Sequence, residues 1–228
     1  MVSPVESVIS KAATLSQEPL AKEGGSGLVS GVKEPSPIRS ICVFCGAASG
    51  SDPAFAAAAR DVGSALAERG IRLVTGGGSF GLMGVVADAC LDAGGEMVGV
   101  ITHYLEGREL AHPRAQRMEV VETMAQRKEF MADLSDAFIT LPGGIGTLDE
   151  LFEMLTWNRL AVHDKPSALL NVNGFYDELI HFTQRTQVEG GFISASDAAN
   201  LLVTTEIPEL FVLLDAAAGR GISSLYLS

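Results

Sequence analysis

Ala137-Phe138-Ile139-Thr140-Leu141-Pro142-Gly143-Gly144-Ile145-Gly146-Thr147-Leu148-Asp149-Glu150 contains a complete strand-to-helix turn. Ala137 to Leu141 is the short apolar run of a buried strand, and Pro142 breaks it because proline cannot donate to a sheet ladder. Three glycines make the turn, and a helical pattern runs from Thr147 to about Leu160. Glycine in such a turn lets backbone N–H groups come close to an anion at a helix N-terminus. No lysine follows the last glycine, so the segment is not a P-loop. A purely structural reading competes. Thr147-x-x-Glu150 has capping-box spacing, in which Thr caps the helix and Glu reaches back, and Asp149 and Glu150 complement the helix dipole.

A second turn of the same build lies upstream. The strand Ile71 to Thr75 runs into Gly76-Gly77-Gly78-Ser79-Phe80-Gly81-Leu82-Met83-Gly84, and a helix follows from about Leu82 to Ala93. Gly76-x-Gly78-x-x-Gly81 carries the letters of a dinucleotide fingerprint. That fingerprint also requires an acid about 20 residues on, where this chain has Thr102 and His103. NAD binding is disfavoured on that ground. A tight turn with close helix–sheet packing and a mononucleotide or sugar-phosphate contact through Gly77 and Gly78 both stand. Two glycine-rich strand-to-helix turns in one small domain shift the balance toward a ligand site.

Outward from these turns the same alternation continues. Strand patterns at Ile41–Phe44, Met97–Ile101, Met118–Val121, Ala168–Val172 and Leu201–Val203 are separated by helical patterns. The latter cover Ala54 to Arg69, Met124 to Leu134, Phe175 to Val188 and Pro208 to Ala218, while 103–117 reads as irregular. Strands rich in Val, Ile and Leu that alternate with helices imply a parallel sheet covered on both faces. The expected fold is α/β, a Rossmann-like doubly wound sheet over 39–228. Ligands of such sheets sit outside the carboxyl ends of the strands, which is where both glycine-rich turns fall. Residues 1–38, rich in Ser, Pro, Gly, Glu and Lys, read as a flexible tail. Their acids Glu6, Glu18, Glu23 and Glu34 argue against a transit peptide.

Composition narrows the function classes. Lys+Arg 16 against Asp+Glu 28 gives a net charge of −12, which disfavours nucleic acid and anionic membrane surfaces as partners. At 47% hydrophobic and 19% charged the chain is apolar for a monomer, so part of its surface is expected to be buried against a second copy. Neither a membrane span nor a signal-peptide core is visible. Three cysteines, Cys42, Cys45 and Cys90, suit a reducing cytoplasm rather than a disulfide scaffold. Cys42-x-x-Cys45 lacks the second ligand pair of a zinc site, and in a strand residues three apart point to opposite faces. The four histidines lack partner spacing and read as structural or exposed, so no metal is expected.

The combination of Pro142-Gly143-Gly144-x-Gly146-Thr147-x-x-Glu150 with Met124-x-x-Arg127-Lys128 resembles the LONELY GUY (LOG) family. Its members are cytokinin riboside 5′-monophosphate phosphoribohydrolases, long mislabelled as lysine decarboxylases. Val43-Phe44-Cys45-Gly46, the first glycine-rich loop, Ser135-Asp136-Ala137-Phe138 and His163-Asp164-Lys165-Pro166 extend the resemblance over about residues 40 to 195. It implies a Rossmann-like dimer or larger assembly that splits a nucleoside 5′-monophosphate into free base and ribose 5-phosphate without a cofactor. The family's catalytic pair falls on Arg127 and Glu150, and its substrate contacts on Glu109, Lys128, Gly143, Gly144, Ile145, Gly146, Thr147 and Asp149. Many members have Ser-Ser after Cys-Gly in the first loop, whereas this chain has Ala47-Ala48-Ser49.

The chemistry explains why these residue types matter. Base–ribose cleavage passes through an oxocarbenium-like state, which a carboxylate such as Glu150 stabilises while orienting water. The planar fork of Arg127 suits phosphate, ribose oxygens or Glu150 itself. Without the motif, Arg127 reads as a solvated helix charge beside Lys128. Glu109 reads equally as a ribose-hydroxyl contact or a surface acid. A pyridoxal-dependent decarboxylase needs a Schiff-base lysine, and Lys128 and Lys165, alone in the folded region, lie in no such motif. A non-catalytic nucleotide-binding or carrier module is the rival class. The helix from Thr147 is apolar nearly all round, with Leu148, Leu151, Phe152, Met154, Leu155, Trp157 and Leu160. Such a helix is buried on most sides, and the sheet plus a partner subunit would do this.

Overall fold

A computed structural model describes residues 38–109 and 111–218, with the side chains of 107–109 outside that description. Most of the 1–38 segment and the last ten residues therefore lie outside the described residues. The strands are β1 (Ser40–Phe44), β2 (Arg72–Thr75), β3 (Met97–Thr102), β4 (Arg117–Val121), β5 (Ala137–Thr140), β6 (Ser167–Leu170) and β7 (Leu201–Thr204). They form one sheet in the order β4-β3-β2-β1-β5-β6-β7. Every neighbouring pair is parallel, for example Cys42 beside Val74 on one side and Phe138 on the other. The α/β Rossmann-like reading is correct.

The main helices are α1 (Pro53–Glu68), α2 (Gly81–Asp92), α3 (His103–Glu109), α4 (Met124–Asp133) and α5 (Ile145–Arg159). Then come α6 (Asp177–His181), α7 (Gln187–Glu189), α8 (Ala195–Ala198) and α9 (Ile207–Ala218). Local chemistry sets several of their starts. Asp52 accepts from Ala54 N–H at 2.8 Å ahead of Pro53, whose missing N–H costs nothing in a first turn. Thr123 and Gln126 form a reciprocal capping box at α4.

The strands are buried on both faces because alternate residues enter different cores. Ile41 and Val43 of β1 join Val62, Leu66, Val86 and Leu210 on the α1, α2 and α9 side. Cys42 and Phe44 join Met131, Phe138 and Met154 on the α4 and α5 side. Cys45 belongs to the first core and Cys42 to the second, as strand alternation requires, and all three cysteines are free and buried.

Two stretches depart from the sequence reading. Residues 103–117 contain α3, whose Leu105 N–H is taken by Thr102 Oγ1 at 3.2 Å. The expected helix Phe175–Val188 is α6 and α7 joined by a wide π turn over Phe182–Thr186. The chain runs outward from β1 to β4, crosses back to β5, and runs outward again. The reversal lies between β1 and β5, and the loops after β1, β2 and β5 meet there. That is the ligand position for a doubly wound sheet.

Candidate active site

A cavity of about 450 Å³ opens at the reversal point. It falls within the usual size range of small-molecule sites. Its walls are the loop Cys45–Gly50 after β1, Leu82 and Met83 at the start of α2, Arg127 of α4, and Pro142 to Gly144 after β5. Gly146, Thr147 and Glu150 of α5, with Phe55 and Phe175, complete it. Arg127 and Glu150, 23 residues apart in sequence and on two different helices, thus face one cavity.

Arg127 is not the solvated helix charge that its sequence neighbourhood suggests. It is 4% exposed. Its Nε donates to Val100 O and its Nη2 to Gly76 O, both at 2.9 Å. The guanidinium is therefore pinned by one carbonyl just past β2 and one within β3, and a pinned fork can orient a substrate without losing much entropy. Gly76 is the residue that makes room for it. A Cβ there would stand 1.9 Å from Arg127 Nη2.

The second turn also differs from its sequence reading. Helix α5 begins at Ile145 with Gly144 as its cap, so the Thr147–Glu150 capping box does not form at this terminus. Gly144 has no side chain to cap with, and Thr147 and Glu150 lie inside the helix. The first intrahelical bond in this turn runs from Leu148 N–H to Gly144 O. The N–H groups of Ile145, Gly146 and Thr147 precede it and have no carbonyl within the helix to bond. With the dipole of a 15-residue helix behind them, they suit an anion. Close packing fixes this corner: Gly46 N–H donates to Pro142 O at 3.0 Å. A Cβ on Gly143 would lie 2.2 Å from the hydroxyl of the buried Thr147.

The electrostatics are those of a mixed site. Burial and the Glu150 charge both push the thiol of Cys45 up, so it stays neutral in the cavity wall. The Cys42 thiol is raised by burial first and by Glu150 next, while Arg127 pulls the other way. Both charges therefore reach the same strand from above.

Other expected site residues stand elsewhere. Lys128 bonds Asp149 and Glu153, each at 3.0 Å, and so braces α4 against α5 outside the cavity. Partial burial disfavours its charge, but the two carboxylates outweigh that and hold it above the ordinary lysine range. Ile145 is 87% exposed and, with Asp149, lines the outer face of α5. Gly77 and Gly78 do not line the cavity either. Gly77 O accepts from His112 N–H at 2.8 Å, and Gly78 N–H rests on Met83 Sδ at 3.2 Å. Glu109 ends α3, and its side chain lies outside the described residues. Of the two lysines in the described region, Lys165 caps α4 by donating to Ala132 O at 2.7 Å, so neither lysine lines the cavity.

Sequence reasoning did not single out Phe55, Met83, Phe175 or Cys45 as cavity wall. The one hydroxyl in the first loop comes from Ser49, since Ala47 and Ala48 supply none. Among the described residues, no group of three or more His, Cys, Asp and Glu is placed to hold a metal ion.

Residues 83–214 match a family model described as "Possible lysine decarboxylase". The chain is 46% identical over 183 residues to the probable cytokinin riboside 5′-monophosphate phosphoribohydrolase LOG6 of Arabidopsis thaliana, covering 80% of this chain and 90% of that protein. It is 45% identical over 185 residues to cytokinin riboside 5′-monophosphate phosphoribohydrolase LOG3 of the same plant, covering 81% and 86%. The LOG enzyme of Oryza sativa subsp. japonica is 46% identical over 176 residues, covering 77% and 72%. Among solved structures, the molybdenum cofactor carrier protein of Chlamydomonas reinhardtii matches with a TM-score of 0.60 at 20% identity, over 82% of this chain and all of that one. At that identity the likeness is one of fold.

Proposed function

This chain belongs to the LOG family of cytokinin riboside 5′-monophosphate phosphoribohydrolases, and on that footing we propose how its cavity works. The protein is an enzyme that hydrolyses the N-glycosidic bond of cytokinin riboside 5′-monophosphates, AMP or both, releasing free base and ribose 5-phosphate. The observation that carries the assignment of roles is the meeting of Arg127, Glu150 and the N-terminus of α5 in one cavity.

The phosphate docks on the N–H groups of Gly144 to Thr147, where the helix dipole favours negative charge. This sets the ribose between Arg127 and Glu150. As the bond to the base lengthens, positive charge grows on the anomeric carbon, and the Glu150 carboxylate stabilises it and orients the attacking water. Arg127 holds ribose or phosphate oxygens from its fixed seat on Val100 O and Gly76 O. Lys128 acts indirectly, by tying the helix that carries Arg127 to the helix that carries Glu150. The placement of Lys128 and Lys165 away from the cavity supports hydrolysis over Schiff-base decarboxylation.

The working unit is a homodimer or larger assembly in the cytoplasm. Its support is the outer face of α5, where Ile145, Leu148, Phe152 and Trp157 line an open groove of about 420 Å³. Three buried free thiols suit a reducing compartment. Light scattering should give at least twice the 23.9 kDa of one chain across micromolar concentrations.

The test of function is incubation of the full chain with AMP and with isopentenyladenosine 5′-monophosphate, followed by chromatography. Equal amounts of free base and ribose 5-phosphate are expected from one or both. Binding without release would reduce the protein to a nucleotide-binding module.

A further inference from the structure

The turn Pro142-Gly143-Gly144 has few internal restraints. Pro142 has no N–H, and two consecutive glycines leave the following peptide groups with more freedom than any other residues would. Their orientation must therefore come from outside the turn. On one side Gly46 N–H holds Pro142 O at 3.0 Å. On the other side stands Tyr176, a residue the mechanism above does not use. Its hydroxyl donates to Leu141 O at 2.9 Å. The carbonyls of Leu141 and Pro142, at the entry to the turn, are thus both held from outside it.

The ring is set firmly enough to do this. Tyr176 is 3% exposed and packs with Leu151 of α5, Leu169 of β6 and Leu201 of β7. Asn171 Oδ1 accepts its backbone N–H at 2.8 Å, and the second arm of Asn171 donates to Asp177 at 2.7 Å. Phe175 meets the ring edge-on at 4.7 Å and Phe55 beyond it at 5.2 Å. Burial, aided by the neighbouring Cys45, raises the phenol well above its ordinary range, so it stays a donor at every working pH.

We propose that Tyr176 is a positioning residue of this site: its hydroxyl, bonded to the carbonyl that precedes Pro142, sets the turn so that the following N–H groups face the substrate's phosphate. The inference rests on the proposed phosphate-binding role of that turn. Tyr176 touches no substrate. It acts on ground-state binding, so its loss should show in KM rather than in kcat.

Tyr176→Phe removes a single oxygen and keeps the ring. With AMP as substrate, KM should rise about three- to tenfold, the range of one hydrogen bond, with kcat within about twofold of the unaltered protein. The Kd of ribose 5-phosphate measured by calorimetry should rise by the same factor. A merely structural hydroxyl would lower the Tm and the active fraction, hence kcat, and leave KM and this Kd unchanged; that result overturns the proposal. If the unaltered protein binds AMP but releases no base, the enzymatic reading fails separately. The AMP Kd of Tyr176→Phe then decides the point, an unchanged value counting against it.

Discussion

The two glycine-rich turns look alike in sequence and do different work. Each follows a strand and opens a helix at the same end of the sheet. The turn after β5 gives its backbone and the start of α5 to the cavity. The turn after β2 gives its glycines to packing. Gly76 clears space for Arg127 and holds it through its carbonyl, Gly77 lies under Met118, and Gly78 pairs with Ala111. One turn lines the cavity, and the other seats a residue that lines it. A glycine motif therefore tells where the backbone must come close, but not what it comes close to.

Substitutions can break this contrast. The largest effect is expected at Gly76. In Gly76→Ala the new methyl lies 1.9 Å from Arg127 Nη2, and the guanidinium must leave its seat. Misplacement of a catalytic group by an ångström costs about 10²-fold, so kcat for AMP should fall by roughly that factor. An unaltered kcat would show that Arg127 is not needed where it sits. Next is Gly77→Ala, at φ +80° and with Met118 Sδ 2.9 Å from the new Cβ. A side chain in that conformation costs about 1–3 kcal/mol, read as a lower Tm in calorimetry, with KM unchanged. Gly146→Ala should give the reverse pattern. Nothing lies within 4 Å of its Cβ direction and alanine favours helix, so Tm should hold while the KM for AMP rises severalfold. If Gly77→Ala raised KM and Gly146→Ala lowered Tm instead, the division of labour would be reversed.

The smallest expected effect concerns the far end of α5. His163 sits beyond that helix, against Phe138 and Trp157, with its Nδ1 accepting from Lys165 N–H at 3.2 Å. Burial first, and the Lys165 charge second, lower its pKa from 6.5 to about 4, against the opposing pull of Asp164. The unfolded chain therefore takes up this proton first. The contribution of His163 to stability is whole above pH 6.5 and is lost as the pH falls toward 4. His163→Asn keeps an acceptor but does not titrate. Its Tm should fall less than that of the unaltered protein between those pH values.

Much of this was legible because it is local. Period and strand composition in β1, β2, β3, β5 and β6 gave the parallel sheet, and alternation placed Cys42 and Cys45 on opposite faces. Arg127 and Glu150 were legible only through the motif that contains them, since Arg127 is held by carbonyls 27 and 51 residues away. The false capping box at Thr147 has the same origin. Spacing alone cannot show that Gly144, three residues before Thr147, is already the cap of the helix. Helix α3 was missed because Gly107 and Pro113 outweighed the capping hydroxyl of Thr102. Tyr176 was invisible for the most general reason. Its partner Leu141 is 35 residues away, and no period links them.

The most direct measurement compares the unaltered chain with Glu150→Gln on AMP. Free adenine is followed by chromatography, and AMP binding by calorimetry. Loss of a catalytic carboxylate typically costs about 10²–10⁴-fold. The variant should bind AMP as before and release base at less than a tenth of the normal kcat. A variant that keeps more than a tenth would leave Glu150 as part of the wall and contradict its place at the reacting carbon.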